Sequence, residues 1–433
     1  MKNLTKLTAI LIALLLVVSI LPVTSNAAAS YTLTLPSASE LQHGTVAASR
    51  SGRIVAGESV TLTFSPESGY SLKGSVGTGY VYSGTYLSYF TYGEGYKFIA
   101  IPAGSTTFTF TMPAANVRLV AAFEELCQID LSVSDIVIEA DRYIYNGSSV
   151  NYSGAFNITG SSSTNNIVIN SGAPAIYLDG VNASGSADDY CALLVNNSAA
   201  PTIILKNGTS NTLSSGKNHA GIEVRPAASV RIKCASSDTS SHECTTVCGR
   251  LTAIGGENGA GIGGGYMYSS GNVTIDGGHI VAACNPSSAS TSAYGAGIGG
   301  GYYGQSGSIT INGGIVEAFA SQTSRNPHGA GIGGGSGASA SLITINGGVV
   351  SADATSGYGA GIGGGSNGNG GMVIINGGRV EATGGSNGGA GIGGGSTPEY
   401  TPYYACGSGA AVRILGGTVN VSGGGWNGNA IGG

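Results

Sequence analysis

Apolar and polar residues alternate strictly along several short stretches of the N-terminal quarter. Val60, Leu62 and Phe64 interleave with Ser59, Thr61 and Thr63, and Phe108 and Phe110 interleave with Thr107, Thr109 and Thr111. A period of two is that of a strand with one face buried. Pro66 to Tyr70 and Pro113 supply turns, since proline cannot donate to a ladder and glycine accepts a left-handed backbone. Val117 to Phe123 is the last such run. The pattern predicts a small β domain over residues 31–125, with Thr107 to Met112 and Val117 to Phe123 as strands of one sheet.

Beyond Glu125 the pattern repeats itself. Gly-Ala-Gly-Ile-Gly-Gly-Gly begins at Gly259, Gly295, Gly329, Gly359 and Gly389, and a degenerate copy runs from Gly428 to Gly433. Between copies lies a second element, Val273-Thr274-Ile275-Asp276-Gly277-Gly278 and its equivalents. A third follows each time, as in Ile280 to Ala282, Val316 to Ala318 and Val380 to Ala382. Self-similarity at this period is the mark of a repeat architecture. None of these segments buries an apolar face alone. Stacked in parallel at about 4.8 Å per rung, they form continuous Ile and Val ladders, with glycine at the corners. Ile262, Ile298, Ile332, Ile362 and Ile392 are therefore expected inward in one ladder. Residues 130–255 repeat the texture less regularly, from Ile167-Val168-Ile169 to Val230-Arg231-Ile232, and read as earlier rungs.

The N-terminal stretch resembles the divergent internalin-type B-repeat, a small β-grasp-like module of bacterial surface proteins. Pro66, Gly69, Tyr70, Phe110 to Pro113, Asn116, Val117, Ala121 and Phe123 carry the resemblance, while Gly77 to Tyr96 is longer and richer in tyrosine. The remainder resembles right-handed parallel β-helix proteins of the carbohydrate-binding surface type. The matching positions are Asn165 to Ile169, Asn211 to Gly216, Ala220 to Ile222, Gly249 to Ala253 and the glycine-rich series. The resemblance implies an all-β chain: a right-handed parallel β-helix over residues 126–433, preceded by the β-grasp-like domain.

The first residues read as a secretory leader over 1–27. Lys2 and Lys6 precede an uncharged apolar run from Leu7 to Leu21, and small residues follow at Ala27 to Ala29. The alternative, an uncleaved anchor, suffers from the shortness of the run. No later stretch is apolar enough to span a membrane. Charged residues make up 9% against a usual share of about 25%, and the net charge is −5, so no basic footprint for nucleic acid exists. Apolar residues reach 41%, enough to bury a core rather than stay disordered. Export permits disulfides among the 7 cysteines. Cys234, Cys244 and Cys248 share one Ser/Thr-rich insertion with His242. A disulfide within this loop is the first expectation and zinc the second, though the spacing matches no common zinc motif.

Candidate chemistry is sparse. Glu317 and Glu381 occupy one outward position two rungs apart, roughly 9.6 Å by strand spacing, at the outer limit for inverting carboxylates. Ser351 lies between them and Arg379 beside them. Asp188 and Asp189, with Asp179 upstream, could bind calcium, the alternative being an ordinary polar loop, and no other cofactor is implied. Tyrosines offer the better lead. Tyr266, Tyr268, Tyr302 and Tyr303 directly follow Gly-Gly-Gly, Tyr294 and Tyr358 precede the motif, and Tyr400, Tyr403 and Tyr404 come later. Stacking brings Tyr266 and Tyr302 together, as a row that suits sugar rings, although Ser336 and Ser366 interrupt the position. The expected function is a secreted or cell-surface, non-catalytic protein that binds a polysaccharide or host-surface glycan or mediates adhesion. The rivals are a β-helix polysaccharide lyase or glycoside hydrolase and a structural spacer.

Overall fold

A computed structural model describes residues 29–78, 81–236, 244, 247–285, 290–397, 406–426 and 428–433. The leader segment, His242 and Tyr400 to Tyr404 lie outside these residues. No helix occurs among the described residues, hence none long and apolar enough to cross a membrane.

The N-terminal module packs small sheets on one another. One sheet orders its strands as Arg53–Val55, Ser30–Thr34, Val117–Val120, Tyr86–Thr91 and Gly95–Ala100. Another orders Thr107–Thr111, Ser59–Pro66 and Gly44–Ala48. The last two alternating runs thus fall in different sheets, against the expectation of one. Phe110 pairs with Val60, whereas Val117 pairs with Leu33 and Tyr89. The physical reason lies in the core. Phe110, Met112, Val117 and Leu119 all bury in a single cluster, so the Pro113 turn carries the chain across that core to the opposite sheet. The second run also breaks at Ala121-Ala122, and Phe123–Glu125 pairs with Tyr70–Leu72 instead.

From Cys127 onward the chain winds as a parallel β-helix. Three parallel stacks run its length: one from Cys127–Asp130 to Ala411–Ile414, one from Ile136–Ile138 to Ile431–Gly432, and one from Ser161–Ser162 to Thr418–Ser422. Rungs are in register. Ile262, Ile298, Ile332, Ile362 and Ile392 pair successively and are fully buried, as the repeat implies. Ile275, Ile311, Ile345 and Ile375 do the same on the next stack. The irregular stretch joins the same stacks, with Ile167 on Leu193 and Leu193 on Ile222. Beside each ladder runs a polar one. The Asn312 amide donates to Asp276 at 2.7 Å, Asn346 to Asn312 at 2.8 Å and Asn376 to Asn346 at 2.7 Å.

One position explains why glycine recurs. Gly263, Gly299, Gly333 and Gly363 all have φ between 137° and 139°. A Cβ on Gly263 would lie 1.9 Å from the carbonyl oxygen of Gly299, so no side chain fits there without opening the rung. The module and the helix meet at a small apolar patch of Leu126, Ala155, Ala175 and Ile204, with Ala103 and Tyr177 against it. Lys233 Nζ reaches the Gly104 carbonyl at 3.3 Å across this contact.

Replacing Ile332 by Asp buries an unpaired charge in the middle of the ladder and is expected to cost several kcal/mol. Thermal unfolding of the variant reads this directly, and an unchanged midpoint contradicts the ladder.

Candidate functional site

Four of the five Gly-Gly-Gly elements end in a tight turn among the described residues. The Tyr268 amide donates to the Gly265 carbonyl at 3.0 Å, and Gly304, Ala338 and Gly368 repeat this bond. Turns with the third residue at positive φ favour glycine there. Gly337 meets that demand with φ 77°, but Met267 and Tyr303 both sit at 60°. A bulky side chain in the left-handed region costs about 1 kcal/mol or more and marks a place worth inspecting for function.

Successive turns stack through the bonds Met267 N–H to Tyr302 O and Tyr303 N–H to Ser336 O, both 2.9 Å. Tyr266 and Tyr302 are thereby brought together, their ring centroids 5.8 Å apart and tilted by 39°. Tyr302 is held on both sides. Tyr294 stacks on it at 4.4 Å and Tyr303 at 4.0 Å, and its hydroxyl donates to that of Tyr303 at 2.9 Å. Burial and this bond push the Tyr302 phenol well up from its ordinary value. The stack then continues where the sequence pattern shows serine. His328 lies 5.1 Å from Tyr294, and Tyr358 lies 5.0 Å from His328.

Tyr294, His328 and Tyr358 each stand directly before Gly-Ala-Gly-Ile. The Ser336 amide donates to Tyr294 O and the Ser366 amide to His328 O, both at 2.7 Å, so the two flanks of the motif face each other across the rung. Small buried serines on one flank leave room for rings on the other. His328 could have been found from its place before the motif. Rings stacked this way present edges to solvent and cover one another's faces. The more exposed rings are those of Tyr266, Tyr268 and Tyr303, at 38%, 47% and 57%, with one face of Tyr303 taken by Tyr302.

Tyr268 belongs to a second arrangement. The Arg225 guanidinium carbon sits 3.9 Å over its ring centroid, a cation–π contact. Arg225 is anchored by Glu223, whose Oε1 lies 3.0 Å from the guanidinium and whose Oε2 lies 2.7 Å from His219 Nδ1. Glu223 is fully buried, at the register that later rungs give to glycine. Its carboxylate occupies the space over Gly265, where a Cβ would come within 2.6 Å. Asn196, Asn197, Arg225, Pro226, Ala227 and Tyr268 line a cleft of about 370 Å³. Arg225 and Glu223 escape a sequence reading because neither belongs to the repeat. The one signal is that Glu223 interrupts an otherwise apolar or glycine register.

The carboxylate candidates are placed as follows. Glu317, Ser351 and Glu381 do share one register on adjacent rungs and, with Arg379, border a shallow cleft of about 240 Å³. Glu317 lies 3.4 Å from His279 Nε2. Asp179 pairs with Lys206 at 2.6 Å, while Asp188 and Asp189 are on an exposed corner beyond the next strand. Neither corner aspartate belongs to a group of three ligating side chains within 4.8 Å among the described residues.

This architecture is that of a β-helix repeat chain with a small β module at its N-terminal side. In comparison with known families, residues 31–126 match the divergent InlB B-repeat domain, and residues 249–266, 273–302, 309–336, 343–366 and 373–396 match the beta helix repeat. No curated protein and no solved structure matches the chain.

Burial pushes the His328 imidazole from its ordinary 6.5 down to about 4. The folded state therefore keeps it neutral, and between these values the unfolded chain binds more protons. Its contribution is full above pH 6.5 and is lost as pH falls toward 4, by about 3 kcal/mol at most. His328→Tyr, which extends the neighbouring tyrosines, is expected to flatten this part of the stability–pH curve. A slope identical to that of the parent protein refutes the assignment.

Proposed function

We propose that the chain is a secreted or cell-surface bacterial protein that binds an extended glycan without chemically altering it. Three features support the extracellular reading: the leader-like N-terminus, the match to a B-repeat domain, and the match to a β-helix repeat. The two units are taken to divide near Glu125, because a separate buried cluster lies on each side of that point.

The observation that carries the binding reading is the set of exposed tyrosines Tyr266, Tyr268 and Tyr303 on successive turns, beside the Arg225 cleft. A pyranose offers one face of C–H groups and a rim of hydroxyls. The tyrosine faces suit the first, and Asn196, Asn197 and Arg225 suit the second. Glu223 holds Arg225 in place before any ligand arrives, which lowers the ordering cost of binding. Tyr302, with both faces covered, supports its neighbours rather than stacking on sugar. A parallel β-helix is long and inextensible along its axis, and its edge suits a polymer better than a single sugar.

Polysaccharide and glycan arrays probed with the full chain test this, followed by titration calorimetry on the strongest ligand. Tyr268→Ala with Tyr303→Ala is expected to weaken binding at least about tenfold. Its melting temperature should fall little, since both sites are exposed. Tyr302→Ala should instead lower the melting temperature. Undiminished affinity in the double variant removes the tyrosine edge. Absence of any bound glycan favours a spacer, and release of reducing or unsaturated sugar ends favours the lyase or hydrolase reading.

A further inference from the structure

We propose that Cys234, Cys244 and Cys248 form a three-thiolate site for a soft divalent metal ion, zinc in the first instance. The site stands apart from the aromatic edge and does not depend on the glycan reading.

Cys234 is the last residue of the strand Ser229–Cys234, and Cys248 stands two residues before the strand Arg250–Gly255. The insertion thus leaves and rejoins the β-helix at two buried cysteines. Their sulfurs lie 3.4 Å apart, and Cys244 from within the insertion returns so that all three lie within 4.8 Å of one another. A disulfide brings two sulfurs to about 2.05 Å and leaves a third thiol crowded against it. Zinc with sulfur ligands at about 2.3 Å in tetrahedral geometry separates them by about 3.8 Å. The 3.4 Å pair is far from a bonded disulfide, and the 4.8 Å limit on all three admits the second value; an odd number of converging sulfurs fits a metal better than a pair bond.

A second observation concerns how Cys244 is held. The Gly278 backbone N–H donates to Cys244 Sγ at 2.9 Å. Outer hydrogen bonds of this kind orient metal ligands, while the adjacent Cys234 thiol and burial push the Cys244 thiol well above its ordinary value. Gly278 belongs to the corner of the following rung, with φ 99°. The bond therefore ties the insertion to the body of the solenoid. The Ser236 hydroxyl lies 3.7 Å from Cys234 Sγ and 3.9 Å from Cys248 Sγ.

The other convergent group, Cys191, His219 and Glu223, also falls within 4.8 Å. There the Glu223 carboxylate already pairs with Arg225 at 3.0 Å, so its charge is taken.

The test uses the full chain, purified under reducing conditions and titrated with Cd²⁺ and Zn²⁺. Cadmium bound to thiolate gives an ultraviolet charge-transfer band. One ion per chain is expected, displaced by zinc, with a rise in melting temperature that scales with free metal. Cys406→Ser should leave the band unchanged. Cys244→Ser should weaken binding at least about tenfold, and its side chain lies in the insertion rather than a core rung, so folding is readable by its parent-like melting without metal. An unchanged band in Cys244→Ser overturns the proposal, as does no band in the parent. Peptide mapping of the exported protein without reductant is the second measurement. A Cys234–Cys248 cross-link there overturns it too, and three alkylatable thiols protected by metal support it.

Discussion

Everything in the long part of this molecule follows from parallel stacking at one rung per turn. In this geometry each residue faces its own repeat equivalent about 4.8 Å away, above and below. Like therefore meets like. Isoleucine on isoleucine is favourable and builds the inner ladders from Ile262 to Ile392. Asparagine on asparagine is also favourable, because each amide donates to the preceding rung and accepts from the following one, as Asn312 and Asn346 do. Aromatic on aromatic works in the same way along Tyr294, His328 and Tyr358.

The same rule disfavours charge. A repeated lysine or glutamate would face itself on every rung, a like-charge contact in a partly dry setting. The low charged fraction is thus a consequence of the fold. Where charges do occur, the register breaks them up. Ser351 separates Glu317 from Glu381, and Arg231 on one rung pairs with Asp276 on the next. Glycine at the Gly263 register obeys the constraint in its steric form, since the neighbouring rung already occupies the place of a Cβ.

Departures from the repeat concentrate the chemistry. Glu223 holds a register that later turns give to glycine, and with it come Arg225 and the cleft beside Tyr268. The insertion between Cys234 and Cys248 enters at the same irregular end and gathers three sulfurs. Tyr303 keeps a bulky ring at a positive φ, and Gly337 beneath it has no Cβ to obstruct that ring. Regular rungs repeat one set of contacts, and the exceptions bring together charged, aromatic and sulfur groups that the repeat lacks.

The repeat alone determined the architecture here. Period-two strands, Gly-Gly corners and recurring isoleucines admit one way to bury apolar surface, and Ile332 was legible as core for that reason. The adjacency of Tyr266 and Tyr302 was legible too, since equal offsets from one motif become neighbours in a stack. Other features depended on partners that are distant in sequence. Placement of Thr107–Thr111 and Val117–Val120 in different sheets was decided by a shared core, because alternation fixes which face is buried but not which strand lies alongside. The continuation of the aromatic row through His328 was decided by the meeting of both flanks of the motif across the rung, a relation between positions rather than within a pattern. The covering of both Tyr302 faces, the anchoring of Arg225 by a buried Glu223, and the convergence of three sulfurs were decided likewise. Periodicity specifies the direction in which a side chain leaves the backbone, and only packing specifies what it meets there.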